Sequence, residues 1–231
     1  MIDCPSPNHD DRNRTPVTMI VLHYTGMESA AAALQRLTDA EAKVSSHYMV
    51  AEDGTVMRLV DESRRAWHAG KSYWRGITNV NAASVGIEIV NPGHEFGYIP
   101  FATPQMAAVL QLTAEIAKRH GVKPAMVVGH SDIAPARKQD PGELFDWPLL
   151  AKHGLAYGPV KPIADPHWTD GGTLQALNRF GYDVTDGPAA VRAFQRRFRP
   201  ATIDGVIDGE TRAILLSLLI NEERAAKPAE S

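Results

Sequence analysis

The sequence predicts an α/β fold, a mixed central sheet flanked by helices, followed by a small C-terminal three-helix bundle. Two apolar strands, Val17 to Leu22 and Val127-Val128, each run into a histidine and alternate along the chain with segments of helical period. An Asp53-Gly54 turn between two strand-like runs adds an antiparallel hairpin, which makes the sheet mixed. After Gly154 the composition shifts toward proline and glycine, and three short helical patterns follow.

In chain order, residues 1–15 are rich in proline and aspartate and read as an extended arm lying against the domain. The first strand then delivers His23. Ser29 to about Lys43 reads as a helix with Ser29 as its N-cap and Leu34 and Leu37 on one face. Ser46 to Val50 and Thr55 to Val60 form the hairpin, and Ala66 to Trp74 is an aromatic-rich loop. Val85, Ile87 and Ile89 alternate onto one face of a strand and put Glu88 on the other, until Asn91-Pro92-Gly93 ends it.

Thr103 as N-cap and Pro104 in the first turn open the next helix. Its Met106, Val109, Leu110, Thr113, Ile116 and Ala117 recur at helical spacing as core, and Gly121 stops it. Past the linker, Thr173 to Phe180, Gly187 to Phe198 and Asp208 to Asn221 read as helices. Val191, Phe194 and Phe198 share one face, and Ile214, Leu215, Leu218 and Leu219 another. The expected boundaries are a first domain over 1–154, a linker over 155–170, a helical domain over 171–222 and a disordered tail over 223–231.

Composition excludes several functions. With 231 residues and a net charge of −3, the chain has no general attraction for nucleic acid or an anionic membrane. Arg192, Arg196, Arg197 and Arg199 read as a solvated helix face, not an RNA site. Cys4 is the only cysteine, which rules out an internal disulfide framework. The apolar run Ala213 to Ile220 is too short to span a bilayer, and the opening residues do not resemble an export signal. The expected location is therefore cytoplasmic, with the periplasm as alternative if a leader precedes this sequence.

The segment Gly129 to Gly142 carries the most chemistry. His130, Lys138 and Asp140 lie within eleven residues of one another in a stretch stiffened by Pro135 and Pro141. Histidine and aspartate are both zinc ligands, and a catalytic zinc takes three protein ligands with one open position. His23, ending its own strand, supplies a third candidate, since chemistry in α/β sheets gathers at strand ends. Residue type alone leaves two unrelated, hydrogen-bonded histidines as the alternative. Glu88, a carboxylate among apolar neighbours, requires a partner or a role.

Five blocks in order carry a family resemblance: Met19 to Thr25, Ser46-His47-Tyr48, Ala66 to Gly70, Val85 to Ile89, and Gly129 to Pro135 continuing through Lys138 to Gly142. Together they resemble the zinc-dependent N-acetylmuramoyl-L-alanine amidases of the type 2 amidase family, over residues 1 to about 154. Residues 171–222 resemble a three-helix peptidoglycan-binding domain through Leu174 to Tyr182, Val191, Phe194, Gln195 and Asp204-Gly205-Val206.

The resemblance implies Zn2+ on His23, His130 and Asp140, with Glu88 as general base and Lys138 stabilising the oxyanion. It implies hydrolysis of the amide between N-acetylmuramic acid and L-alanine of the stem peptide, in peptidoglycan or muropeptides. Trp67, His68 and Asn81 are the expected substrate-reading residues, and Asp132 and His47 the groups that orient loop and ligands. Two other readings are a non-catalytic peptidoglycan receptor, which predicts a broken ligand set, and a metal-dependent stem-peptide peptidase, which predicts a different product mass. No obligate protein partner is implied.

Overall fold

The computed structural model describes residues 1–226. Strands β1 (Ile2–Asp3) and β2 (His9–Asp11) lie in the arm, followed by β3 (Met19–Tyr24). Helix α1 (Ala30–Thr38) leads to β4 (Tyr48–Val50), β5 (Val56–Arg58) and β6 (Arg64–Ala66). A short α2 (Val80–Ala83) runs into β7 (Ser84–Ile89), then α3 (Gly93–Phe96) and the long α4 (Thr103–His120). After β8 (Val127–Gly129) come α5 (His130–Ile133), α6 (Trp147–Lys152), α7 (Asp170–Phe180), α8 (Gly187–Phe198) and α9 (Gly209–Ala226).

The main sheet has the order β1-β5-β4-β7-β3-β8, with β4 and β5 antiparallel and every other pair parallel. This is the mixed sheet that the hairpin and the strand–helix alternation predict. The central strands β3 and β7 are buried on both faces, as parallel strands between helix layers require. Ile20, Leu22, Val85, Ile87 and Ile89 face α4, which returns Met106, Val109, Leu112 and Ile116, and also meet Trp147 and Leu150 of α6. Each such fully buried aliphatic side chain contributes roughly 1.5–3 kcal/mol. Met19, Val21 and Val128 face the opposite way, toward α5 and the C-terminal helices.

Register places the chemistry. His23 is the cross-strand partner of Glu88, so both side chains leave the sheet on the same face at the C-terminal ends of β3 and β7. Leu22 pairs with Gly129, which puts His130 one residue beyond, beside His23.

Several sequence expectations are corrected, but that of an extended arm against the domain holds: β1 pairs with β5, β2 pairs with β6, and Ser6, Asn8 and Arg12 are buried. Arg12 donates to the carbonyls of Glu62, Ala82 and Ser84, satisfying backbone groups that neighbouring elements leave unpaired. The first helix ends at Thr38, where Asp39 caps a single 3-10 turn. Ala102, not Thr103, is the N-cap of α4, and its buried stripe uses Leu112 where Leu110 is only partly covered. Ser29 does cap α1, accepting from Ala32 N–H.

Three helices follow the linker, and their apolar faces are not closed on themselves. Leu177, Phe180, Tyr182 and Phe194 join Met19, Val21, Trp74 and Val128 in one continuous core. The arginine face is also corrected, since Arg197 and Arg199 are buried and only Arg192 is exposed. Arg199 pairs with Asp208 at 2.5 Å, and Arg197 with Asp132 at 2.6 Å. The expected tail is helical over residues 223–226, and the rest of it, 227–231, lies outside the described residues. Among the described residues, no helix is long and apolar enough to cross a membrane.

Candidate metal centre and cleft

His23, His130 and Asp140 converge at the C-terminal edge of β3 and β8. His23 Nδ1 lies 2.9 Å from His130 Nδ1 and 3.0 Å from Asp140 Oδ2, and His130 Nδ1 lies 3.0 Å from the same oxygen. All three residues are buried. His130 is aimed by its other nitrogen, because Nε2 is 3.1 Å from the Ala69 carbonyl oxygen. A carbonyl only accepts, so Nε2 carries the proton and Nδ1 presents a lone pair to the cluster.

Electrostatics favour a cation here. Burial, then His130, lowers the His23 pKa to about 4, against the opposing pull of Asp140, so His23 is neutral near pH 7. Burial works against the Asp140 carboxylate, yet its contact with the imidazoles of His130 and His23 holds it well below the usual range. Two imidazole nitrogens and one carboxylate oxygen, mutually within hydrogen-bond reach, match the donor types and number of a zinc site with an open fourth position.

Glu88 stands in the same cleft, of about 610 Å³, with Lys138, His94 and Arg137. Burial, then the Asp140 charge, pushes the Glu88 carboxyl well above its ordinary range, with Lys138 opposing. Its Oε2 is buried without a hydrogen-bond partner, an oxygen left free for a ligand. Tyr24 and His94 also line the cleft, His94 being held between the Tyr24 hydroxyl, 3.0 Å from its Nδ1, and Glu143, 3.1 Å from its Nε2.

The expected substrate readers divide. His68 lines the cleft, whereas Trp67 and Asn81 do not. Asn81 Oδ1 instead accepts from the backbone N–H groups of His68 and Ala69, and Trp67 N–H donates to Ser45 Oγ. Asn81 thus holds the loop backbone through its side chain. His47 Nδ1 accepts from Gly86 N–H, and its Nε2 lies 2.7 Å from Arg12 Nη2. Asp132 accepts from Gly129 N–H, Tyr182 and Arg197, so it does orient the loop. Nothing in the spacing of Tyr24, His94 and Arg137 separates them from ordinary surface residues, so the sequence alone does not mark them as cleft residues.

Comparison with known proteins agrees with this geometry. The family model described as N-acetylmuramoyl-L-alanine amidase matches residues 13–143. The chain is 37% identical over 230 residues to N-acetylmuramoyl-L-alanine amidase AmiD of Escherichia coli, spanning 88% of this chain and 82% of that protein. It is similar to the solved complex of E. coli AmiD with anhydro-N-acetylmuramic acid-L-Ala-D-gamma-Glu-L-Lys, with TM-score 0.80, 36% identity and 90% of each chain covered. It is also similar to the crystal structure of AmpDh3 from Pseudomonas aeruginosa, with TM-score 0.81, 32% identity and 96% of each chain covered. With its family segment holding the buried His23–His130–Asp140 cluster and Glu88 opposite His23, the chain belongs to the N-acetylmuramoyl-L-alanine amidase family.

Proposed function

We propose that this chain hydrolyses the amide between the lactyl group of N-acetylmuramic acid and L-alanine of the stem peptide, using zinc held by His23, His130 and Asp140. The observation that carries the reading is the convergence of three buried metal-type donors beside a buried carboxyl, Glu88, in one open cleft. A receptor needs no such ligand set. The solved complexes of AmiD and AmpDh3 with anhydromuramyl peptides support muropeptides as the substrate class.

When bound, zinc supplies Lewis-acid polarisation of the scissile carbonyl and acidifies water. Glu88 takes the proton of the attacking water and returns it to the leaving amine of L-alanine. Its raised pKa suits a group that must hold that proton between the two steps. Lys138, facing the same cleft, stabilises negative charge as it develops on the carbonyl oxygen. Asp140 stays ionised, its Oδ2 lying 3.0 Å from Nδ1 of each imidazole, so that the three donors face one point.

Residues 1–154 form the catalytic unit in this reading, 155–170 the connector and 171–222 a peptidoglycan-binding unit. A groove of about 410 Å³ between α7 and α9, lined by Trp168, Gln175, Leu216 and Ile220, supports glycan docking there. Mass spectrometry of products from a soluble anhydromuropeptide and from intact peptidoglycan, with and without chelator, tests the function. Chelator-sensitive release of the intact stem peptide is expected. Fragments cut within the stem would make the chain a peptidase.

A further inference from the structure

We propose that Ser84 and His68 form a proton-ordered relay that holds His23 in the tautomer with a bare Nδ1, making Ser84 a positioning residue of the metal site. The proposal rests on His23 being a ligand.

The order of protons follows from one carbonyl. Ser84 Oγ lies 2.6 Å from the Val80 oxygen, which only accepts, so the hydroxyl hydrogen is committed there. The same Oγ lies 3.2 Å from His68 Nε2 and can now only accept, so His68 carries its hydrogen on Nε2. The bare Nδ1 of His68 lies 3.0 Å from His23 Nε2 and therefore receives the His23 hydrogen. That leaves His23 Nδ1 bare, and this is the atom facing His130 and Asp140. A backbone carbonyl three side chains away thus sets which nitrogen His23 offers to a metal.

Packing locks the relay. A Cβ on Gly86 would come within 2.6 Å of His68 Cγ, so the imidazole is seated on the bare backbone of β7. Its ring stands at 85° to that of His23. Ser84 is fully buried, and both nitrogens of His68 are engaged. His68 therefore lines the cleft without offering a substrate a ring hydrogen bond, which reassigns it from substrate reading to ligand orientation.

Ser84→Ala removes the acceptor for the His68 Nε2 hydrogen. His68 is then free to carry its hydrogen on Nδ1, which drives the His23 hydrogen onto the ligand nitrogen. Ser84→Thr keeps the hydroxyl. The test is the histidine tautomers in long-range 1H–15N spectra of the full chain, with zinc affinity measured by chelator competition.

Wild type and Ser84→Thr are expected to show His68 protonated on Nε2. Ser84→Ala is expected to move the His68 hydrogen toward Nδ1 and to weaken zinc binding by about 10- to 100-fold. Unchanged tautomers and affinity in Ser84→Ala, with only a lower melting temperature, would make Ser84 merely structural and overturn the relay. So would His68 protonated on Nδ1 in the wild type, which needs no variant to fold. A wild type that binds no zinc would fail the metal reading, while its His68 tautomer would still decide the relay.

Discussion

Arg197 on α8 donates from Nη1 to Asp132 Oδ2 at 2.6 Å, and Asp132 lies two residues beyond His130. The same guanidinium donates to the carbonyls of Val127 and Tyr157 and stacks on the Trp147 ring at 3.8 Å. Tyr182 adds its hydroxyl to Asp132 Oδ1 at 2.5 Å. At the far end of the loop, the adjacent Arg196 pairs with Glu143 at 3.6 Å. Arg197 therefore holds the start of the segment that carries His130, Lys138 and Asp140, and the neighbouring Arg196 lies beside its end. The C-terminal helices brace the site.

Removing that brace has a measurable cost. Arg197→Met leaves a buried Asp132 carboxylate without its cation, a loss of roughly 3–5 kcal/mol by urea unfolding. Adding Asp132→Asn to Arg197→Met is expected to recover part of it, because the orphaned charge is gone. Additive losses in the double variant would mean that the pair is not coupled.

The three proposed metal donors, His23, His130 and Asp140, are separable by metal analysis. His23→Ala and Asp140→Ala are each expected to lose zinc, since two remaining donors do not complete a site. Full occupancy in either purified variant would remove that residue from the ligand set.

Acid sensitivity follows from His47. Burial, then the Arg12 charge, lowers its pKa to about 3, against an ordinary value of 6.5. Between those values the unfolded chain binds the proton and the folded one does not, so stability falls as pH drops from 6.5 toward 3. The slope from this group approaches about 1.4 kcal/mol per pH unit. Unfolding of wild type and His47→Gln at pH 7 and pH 5 checks it, and the variant is expected to lose less stability between the two. An equal loss would place the acid sensitivity elsewhere.

The groove of the C-terminal helices makes a binding prediction. Trp168→Ala is expected to reduce sedimentation with insoluble peptidoglycan several-fold, while turnover of a soluble muropeptide stays unchanged. Undiminished sedimentation would place glycan binding outside this groove.

Much of the site was legible because strand ends are legible. Apolar runs terminating in His23 and His130 and the alternation around Glu88 each reduce to a local period, and parallel pairing then brings them together. Long-range partners were not legible. Arg12 looks like part of a charged arm until its acceptors at Ala82 and Ser84, about seventy residues away, are known. Arg197 has the spacing of a solvated face, and its partner Asp132, 65 residues distant, is hidden from a local pattern for the same reason. Asn81 resembles a cleft residue in type and His68 does line the cleft, but their polar atoms are spent on backbone and side-chain neighbours.

The most direct test of the account is turnover of an anhydromuropeptide by zinc-loaded Glu88→Gln, with metal content measured on the same sample. Glu88 faces His23 across the sheet but lies outside the group of three donors that could hold a metal. The variant should retain zinc and lose at least about 100-fold in rate of stem-peptide release. Near-normal release with zinc in place would contradict Glu88 as the proton carrier and, with it, the mechanism drawn from this site.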